Sequence, residues 1–139
     1  MQMNFRSARW GAALVGVLIA EIIMIAAAFA WVAIYSHLIH PGEAQSFYQQ
    51  YAMLSSPWVS LAVGVPTFYF ICRRIGRKAP ASSVPTAMVF FGIYFAIDMS
   101  LFLLAGTGTL SALFVVLNYS FKFGACYRGG KDAEKAIAT

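Results

Sequence analysis

The stretch WGAALVGVLIAEIIMIAAAFAWVAIY, residues 10–35, is apolar along its whole length except for one carboxylate, Glu21, near its middle. A helix rises 1.5 Å per residue, so about 20 apolar residues cross the roughly 30 Å hydrocarbon core of a bilayer. This run is longer than that. In lipid every backbone N–H and C=O must find its partner inside the segment, which for a single span means an α-helix. The arginines ahead of it, Arg6 and Arg9, and the small residues AAAFA near its end have the look of a secretory signal. A signal core is only about 7–15 apolar residues long, however, and this run also holds an acid. It is read as a retained membrane crossing.

The remaining sequence repeats the pattern. The 139 residues are 60% hydrophobic and 11% charged, with a mean hydropathy of +0.71, against roughly 45–50% apolar residues in an ordinary soluble domain. Three further apolar segments, residues 57–73, 85–105 and 109–127, are long enough to cross. The expected fold is all-α: an integral membrane four-helix bundle forming a single domain over residues 1–139, with crossings at 10–35, 57–73, 85–105 and 109–127.

Orientation follows from charge. All ten Lys and Arg residues lie before the first crossing, between the second and third, or at the end of the fourth and after it. Basic residues in short connections mark the cytoplasmic side, so both termini are expected there, in a bacterial inner membrane. The same distribution argues against nucleic acid as a partner, because the basic residues flank apolar spans and do not form a patch of their own. Cys72 and Cys126 lie beside the basic clusters on that reducing side and read as ordinary apolar residues, with no redox pairing expected.

Between the first two crossings, Ala44, Phe47, Tyr48, Tyr51, Ala52 and Ser55 recur at helical spacing. Residues 43–56 are therefore expected to form an external amphipathic helix along the outer interface, with Trp31, Tyr35 and Trp58 in the same aromatic belt. The alternative is that this segment extends the second helix outward, bent at Pro57. Within the second crossing, Gly64 and Pro66 predict a hinge, since proline cannot donate its backbone hydrogen bond. In the first, Ala12, Gly16 and Ala20 form a row of small residues suited to close helix packing.

Two acids fall inside crossings. At 1.5 Å per residue Glu21 lies about 16 Å from the inner boundary and Asp98 about 12 Å from the outer one. Ionisable groups at such depths usually face a bundle interior and mark a pathway or relay, so Glu21 and Asp98 are the candidate proton-coupling or coordinating groups. Tyr94, Asn118 and Tyr119 are candidate polar neighbours. A neutral carboxyl serving only as a packing hydrogen-bond partner is the alternative. Lys122 is expected to snorkel to the inner headgroups, with an ion pair to Glu21 as the second reading, since side chains lean toward their own helix N-terminus and these two helices run in opposite directions.

His37, His40 and Glu43, at three-residue steps, are the candidate ligands of an outer-face metal, although Pro41 disfavours helix at His40. No histidine lies in a crossing to ligate haem, and HExxH, CxxC, GxSxG and a phosphate loop are all missing. No enzyme chemistry and no cofactor are expected.

A four-helix chain with one Glu midway along its first helix, LIAEIIMIA, resembles the small multidrug resistance transporters. That resemblance implies a glutamate exchanging protons for cationic drugs across a dimer, with Glu21 in that role. It covers the first helix and the helix count. The other helices lack that family's motifs, the long external connection is foreign to it, and the charge bias opposes dual topology.

Three functions are thus expected in order: proton- or cation-coupled transport of a small solute by an oligomer in the lipid bilayer, an accessory or assembly subunit of a larger membrane complex, and an outer-face metal-binding protein.

Overall fold

The computed structural model describes residues 7–105 and 112–136. Among them are four α-helices and no strand: α1 (Trp10–Ile34), α2 (Gln45–Arg77), α3 (Ser83–Ala105) and α4 (Ala112–Lys135). Three of them, α1 with the π turn that follows it, α2, and α3, are long and apolar enough to cross a membrane.

The helices run up and down. At one end Arg9 N–H donates to Thr86 Oγ1, and Ser83 Oγ donates to the Gly130 carbonyl. These bonds gather the start of α1, the start of α3 and the end of α4. At the other end Trp58 meets Phe114 edge to face and Trp31 Nε1 donates to Tyr51 Oη. Arg9, Arg74, Arg77, Lys78, Arg128, Lys131 and Lys135 all sit at the first end.

Local sequence explains the connections. After α1 the chain widens into a π turn, Tyr35–Ile39, and passes Pro41 into Gly42, whose φ of +92° only glycine adopts without strain. Tyr48 ties this turn down, its hydroxyl donating to the His40 carbonyl. Between α2 and α3, Pro80 opens a short 3-10 turn. Pro85 falls in the first turn of α3, where a missing N–H costs nothing.

The expected interfacial helix at 43–56 is not a separate element. It is the first part of α2, which runs unbroken through Pro57 and Pro66. Its aromatic stripe is used within the chain, since Tyr51 stacks on Tyr35 with ring centroids 3.6 Å apart. The end of α1 and the start of α2 thereby extend together. At the other end, α4 continues to Lys135, past the expected stop at 127.

Packing is carried by small residues. Gly16 and Ala20 are buried, Ala12 partly so, and a Cβ on Gly16 would come within 2.7 Å of the Ile75 side chain. The small row of α1 therefore packs against α2 and α3 of the same chain. A Cβ on Gly76 would lie 2.7 Å from that of Ala133, and one on Gly129 only 2.5 Å from the Tyr69 carbonyl oxygen. Backbones approaching this closely gain dispersion contacts, which is how helices associate in an apolar medium. Phe68, Phe90 and Tyr94 fill the centre, Phe68 meeting the other two edge to face at 5.2 and 4.6 Å. Each such pair contributes about 0.5–1.5 kcal/mol beyond area burial.

Candidate functional site

Midway along the bundle all four helices bring a polar side chain to one place. Tyr94 and Asp98 are one turn apart on α3, and Asn118 and Lys122 one turn apart on α4, so each pair shares a face. Ser60 comes from α2 and Glu21 from α1.

Lys122 is the centre of the cluster. It is 1% exposed, and its Nζ donates to Ser60 Oγ at 2.8 Å and to Tyr94 Oη at 3.2 Å. The rings of Phe68, Tyr94 and Tyr119 surround the ammonium at 5.4, 5.0 and 5.6 Å, within the roughly 6 Å at which a ring face attracts a cation. Space for the chain comes from Gly64, where a Cβ would stand 2.7 Å from Lys122 Cε. The expected snorkelling to the headgroups is thus overturned. Because α4 runs on to Lys135, Lys122 lies well inside its helix, and two hydroxyls and three rings replace its water.

Both carboxylates lie near this cation without touching it. Asp98 Oδ2 accepts from Tyr119 Oη at 2.8 Å. The Tyr94 hydroxyl also faces Asp98. Glu21 feels both Asp98 and Lys122, yet its Oε1 is buried and has no hydrogen-bond partner. Neither acid comes within 4 Å of Lys122; among the described residues that contact is made by His40 and Glu43. The direct Lys122–Glu21 ion pair expected as the second reading is therefore not formed.

A cavity of about 280 Å³ opens between α2, α3 and α4 beside this cluster, lined by Ser56, Ser60, Asp98, Asn118, Tyr119 and Lys122 among others. Asn118 is buried at its wall. Its Nδ2 donates to the Pro57 carbonyl at 3.3 Å, while its Oδ1 has no partner. The cavity thus offers a carboxylate, an ammonium, hydroxyls and an amide oxygen in an apolar surround. Such a set can hold water, a proton or a small cation.

The structure brings together Glu21, Asp98, Lys122, Tyr94, Asn118 and Tyr119 from the sequence reading. Ser60 was missed, although its place one turn before Gly64 puts both on the face opposite Lys122. Pro66 is exposed and away from the cluster, and Gly64 serves as a gap for Lys122 in an unbroken helix. The histidine set is not assembled. His37 Nδ1 turns back to the Ala33 carbonyl at 2.9 Å, while exposed His40 pairs with Glu43 at 3.6 Å. No group of three metal-capable side chains exists among the described residues. The cause is the π turn and Pro41, which take His37 and His40 out of a common helical face. Cys72 and Cys126 are buried free thiols that face each other across α2 and α4.

No protein-family profile, curated protein or solved structure matches the chain.

Proposed function

We propose that this chain is a multi-pass membrane protein of the bacterial inner membrane, with four crossings and both termini cytoplasmic. In this reading its central cluster carries protons coupled to the movement of a small solute or cation. One observation carries it: a cavity with polar side chains in an apolar wall reaches a buried ammonium that has two carboxylates nearby, one of which has an unpartnered buried oxygen. With all three groups ionised the cluster holds one net negative charge, which favours the uptake of one proton or one monovalent cation.

The chemistry divides among the residues. Asp98, at the cavity wall, is the group that exchanges with the compartment the cavity faces. Glu21 does not line the cavity but lies within the field of both Asp98 and Lys122. The ammonium can shift its weight between the two acids, and the hydroxyls of Ser60 and Tyr94 hold it between them.

Proteoliposomes carrying a pH-sensitive dye and an imposed proton gradient test this. Purified protein should dissipate the gradient, or do so when a transported solute is added. Glu21→Gln and Asp98→Asn should each slow that flux by tenfold or more, as expected where a buried relay group is lost. Flux indifferent to both substitutions sinks the proposal. A larger partner that co-purifies in stoichiometric amount, with no flux from the isolated chain, would favour the accessory-subunit reading instead.

A further inference from the structure

A second cavity, of about 790 Å³, shares no lining residue with the first and lies in the groove between α1 and α2, opening at the basic end of the bundle. Its mouth carries Arg9, Arg74 and Lys78, and its floor is apolar, formed by Val15, Gly16, Ile19 and Ile23 of α1 against Phe70 and Ile71 of α2. We infer that this groove binds one anionic phospholipid of the leaflet on the basic side, phosphate on Arg9, Arg74 and Lys78, one acyl chain along α1. The inference rests on the membrane reading above but not on transport.

Three features point to that occupant. First, the cations are uncompensated: no carboxylate pairs with Arg9, Arg74 or Lys78 among the described residues, and the Arg9 guanidinium reaches only the Lys78 carbonyl, at 3.5 Å. Second, α1 begins here with no acidic residue in its first turn and no side-chain cap, so its positive end adds to the same field. Basic pockets between helices on the cytoplasmic side suit anionic headgroups for this reason. Third, the groove is long. From Arg9 to Ile23 it runs about 21 Å along the helix, somewhat more than the roughly 15 Å depth of one leaflet. A phosphate alone would leave that apolar length empty. A second copy docking by the same face about a twofold axis would set the two basic mouths against each other.

The outer half of the α1–α2 groove makes the contrast. That cavity, lined by Trp31, Tyr51, Leu54, Trp58 and Val63 among others, has no charged residue. Only the basic-side half pairs a cationic mouth with an apolar trough.

The test uses the full chain purified in neutral detergent, with lipid retention read by native mass spectrometry in mixed micelles of phosphatidylglycerol and phosphatidylcholine. Each surface cation contributes roughly fivefold to anionic-lipid affinity. The wild-type chain should therefore retain phosphatidylglycerol in preference to phosphatidylcholine, and Arg74→Gln with Lys78→Gln should lower that preference by roughly 25-fold. Both side chains are exposed, and unchanged far-UV circular dichroism will verify folding. Gly11→Leu places a side chain in open space at the mouth. It should reduce retention of the lipid while leaving every cation in place. Equal retention of the two lipids by the wild type overturns the inference, as does a preference that survives the double substitution. Displacement of the lipid by millimolar inorganic phosphate would mark a headgroup-only site and also overturn it. A chain that stays soluble without detergent sinks the membrane reading itself; one that holds lipid without preference sinks only this inference.

Discussion

Replacing Lys122 with methionine keeps a long unbranched chain in the space opposite Gly64 and removes the charge. Lys122 gives up its Nζ bonds to Ser60 and Tyr94, each about 1.5–3 kcal/mol for a charged donor. The substitution also strands the acids. The ammonium stands beyond 4 Å from Asp98 yet within reach of its charge, a separation on the order of 6 Å. At an effective dielectric of about 20 that separation is worth roughly 3 kcal/mol of attraction. Breaking a buried charge set by removing one member typically costs about 3–5 kcal/mol. Lys122→Met should therefore destabilise by about that amount, and Asp98→Asn in the same chain should return roughly 1.5–3 kcal/mol, because it removes one of the two carboxylates that have lost their neighbouring positive charge. The assay is a double-mutant cycle of unfolding free energies in detergent micelles, titrated with sodium dodecyl sulfate and followed by circular dichroism. A Lys122→Met chain as stable as the wild type, or additive effects of the two substitutions, would refute the electrostatic account of the cluster.

Two further outcomes follow from the glycines. Gly129→Ala sets a Cβ 2.5 Å from the Tyr69 carbonyl oxygen, a backbone atom that cannot swing away, so it should cost about 1–3 kcal/mol; Gly124→Ala meets nothing within 4 Å and should be neutral or stabilising by up to about 1 kcal/mol, as the same unfolding titration will read. Gly64→Ala should push Lys122 from its hydroxyls, because the new methyl lands 2.7 Å from Cε, and in proteoliposomes it should lower flux with less loss of stability than Lys122→Met.

How much of this was legible beforehand differs by residue. The helical class, the long first helix and the charge asymmetry of the two ends are properties of runs of residues, and runs are visible in a sequence. Glu21 and Asp98 could be singled out because a carboxylate in an apolar run is conspicuous wherever the helix points. Lys122 was misread because its surroundings depend on what faces it. Near the end of an apolar run a lysine normally snorkels, and only the gap at Gly64, the hydroxyl of Ser60 and the onward course of α4 keep it inside. The start of α2 was misread likewise, since an amphipathic stripe looks the same whether it meets headgroups or a neighbouring helix. Tyr35 supplies the neighbour.

By itself, then, the sequence determined the apolar parts of the four helices, which end is basic and which polar groups are stranded in apolar runs, because hydropathy and charge add up along the chain. Tertiary structure alone decided which stranded groups meet, that Lys122 is buried near two acids without touching either, and that a trough with a cationic mouth lies between α1 and α2. Those outcomes turn on how closely a facing helix approaches where a side chain is missing, by its side chains at Gly16 and Gly64 and by its backbone at Gly129. Residues such as Gly16, Gly64 and Gly129 leave that distance unwritten until their opposite helix is in place.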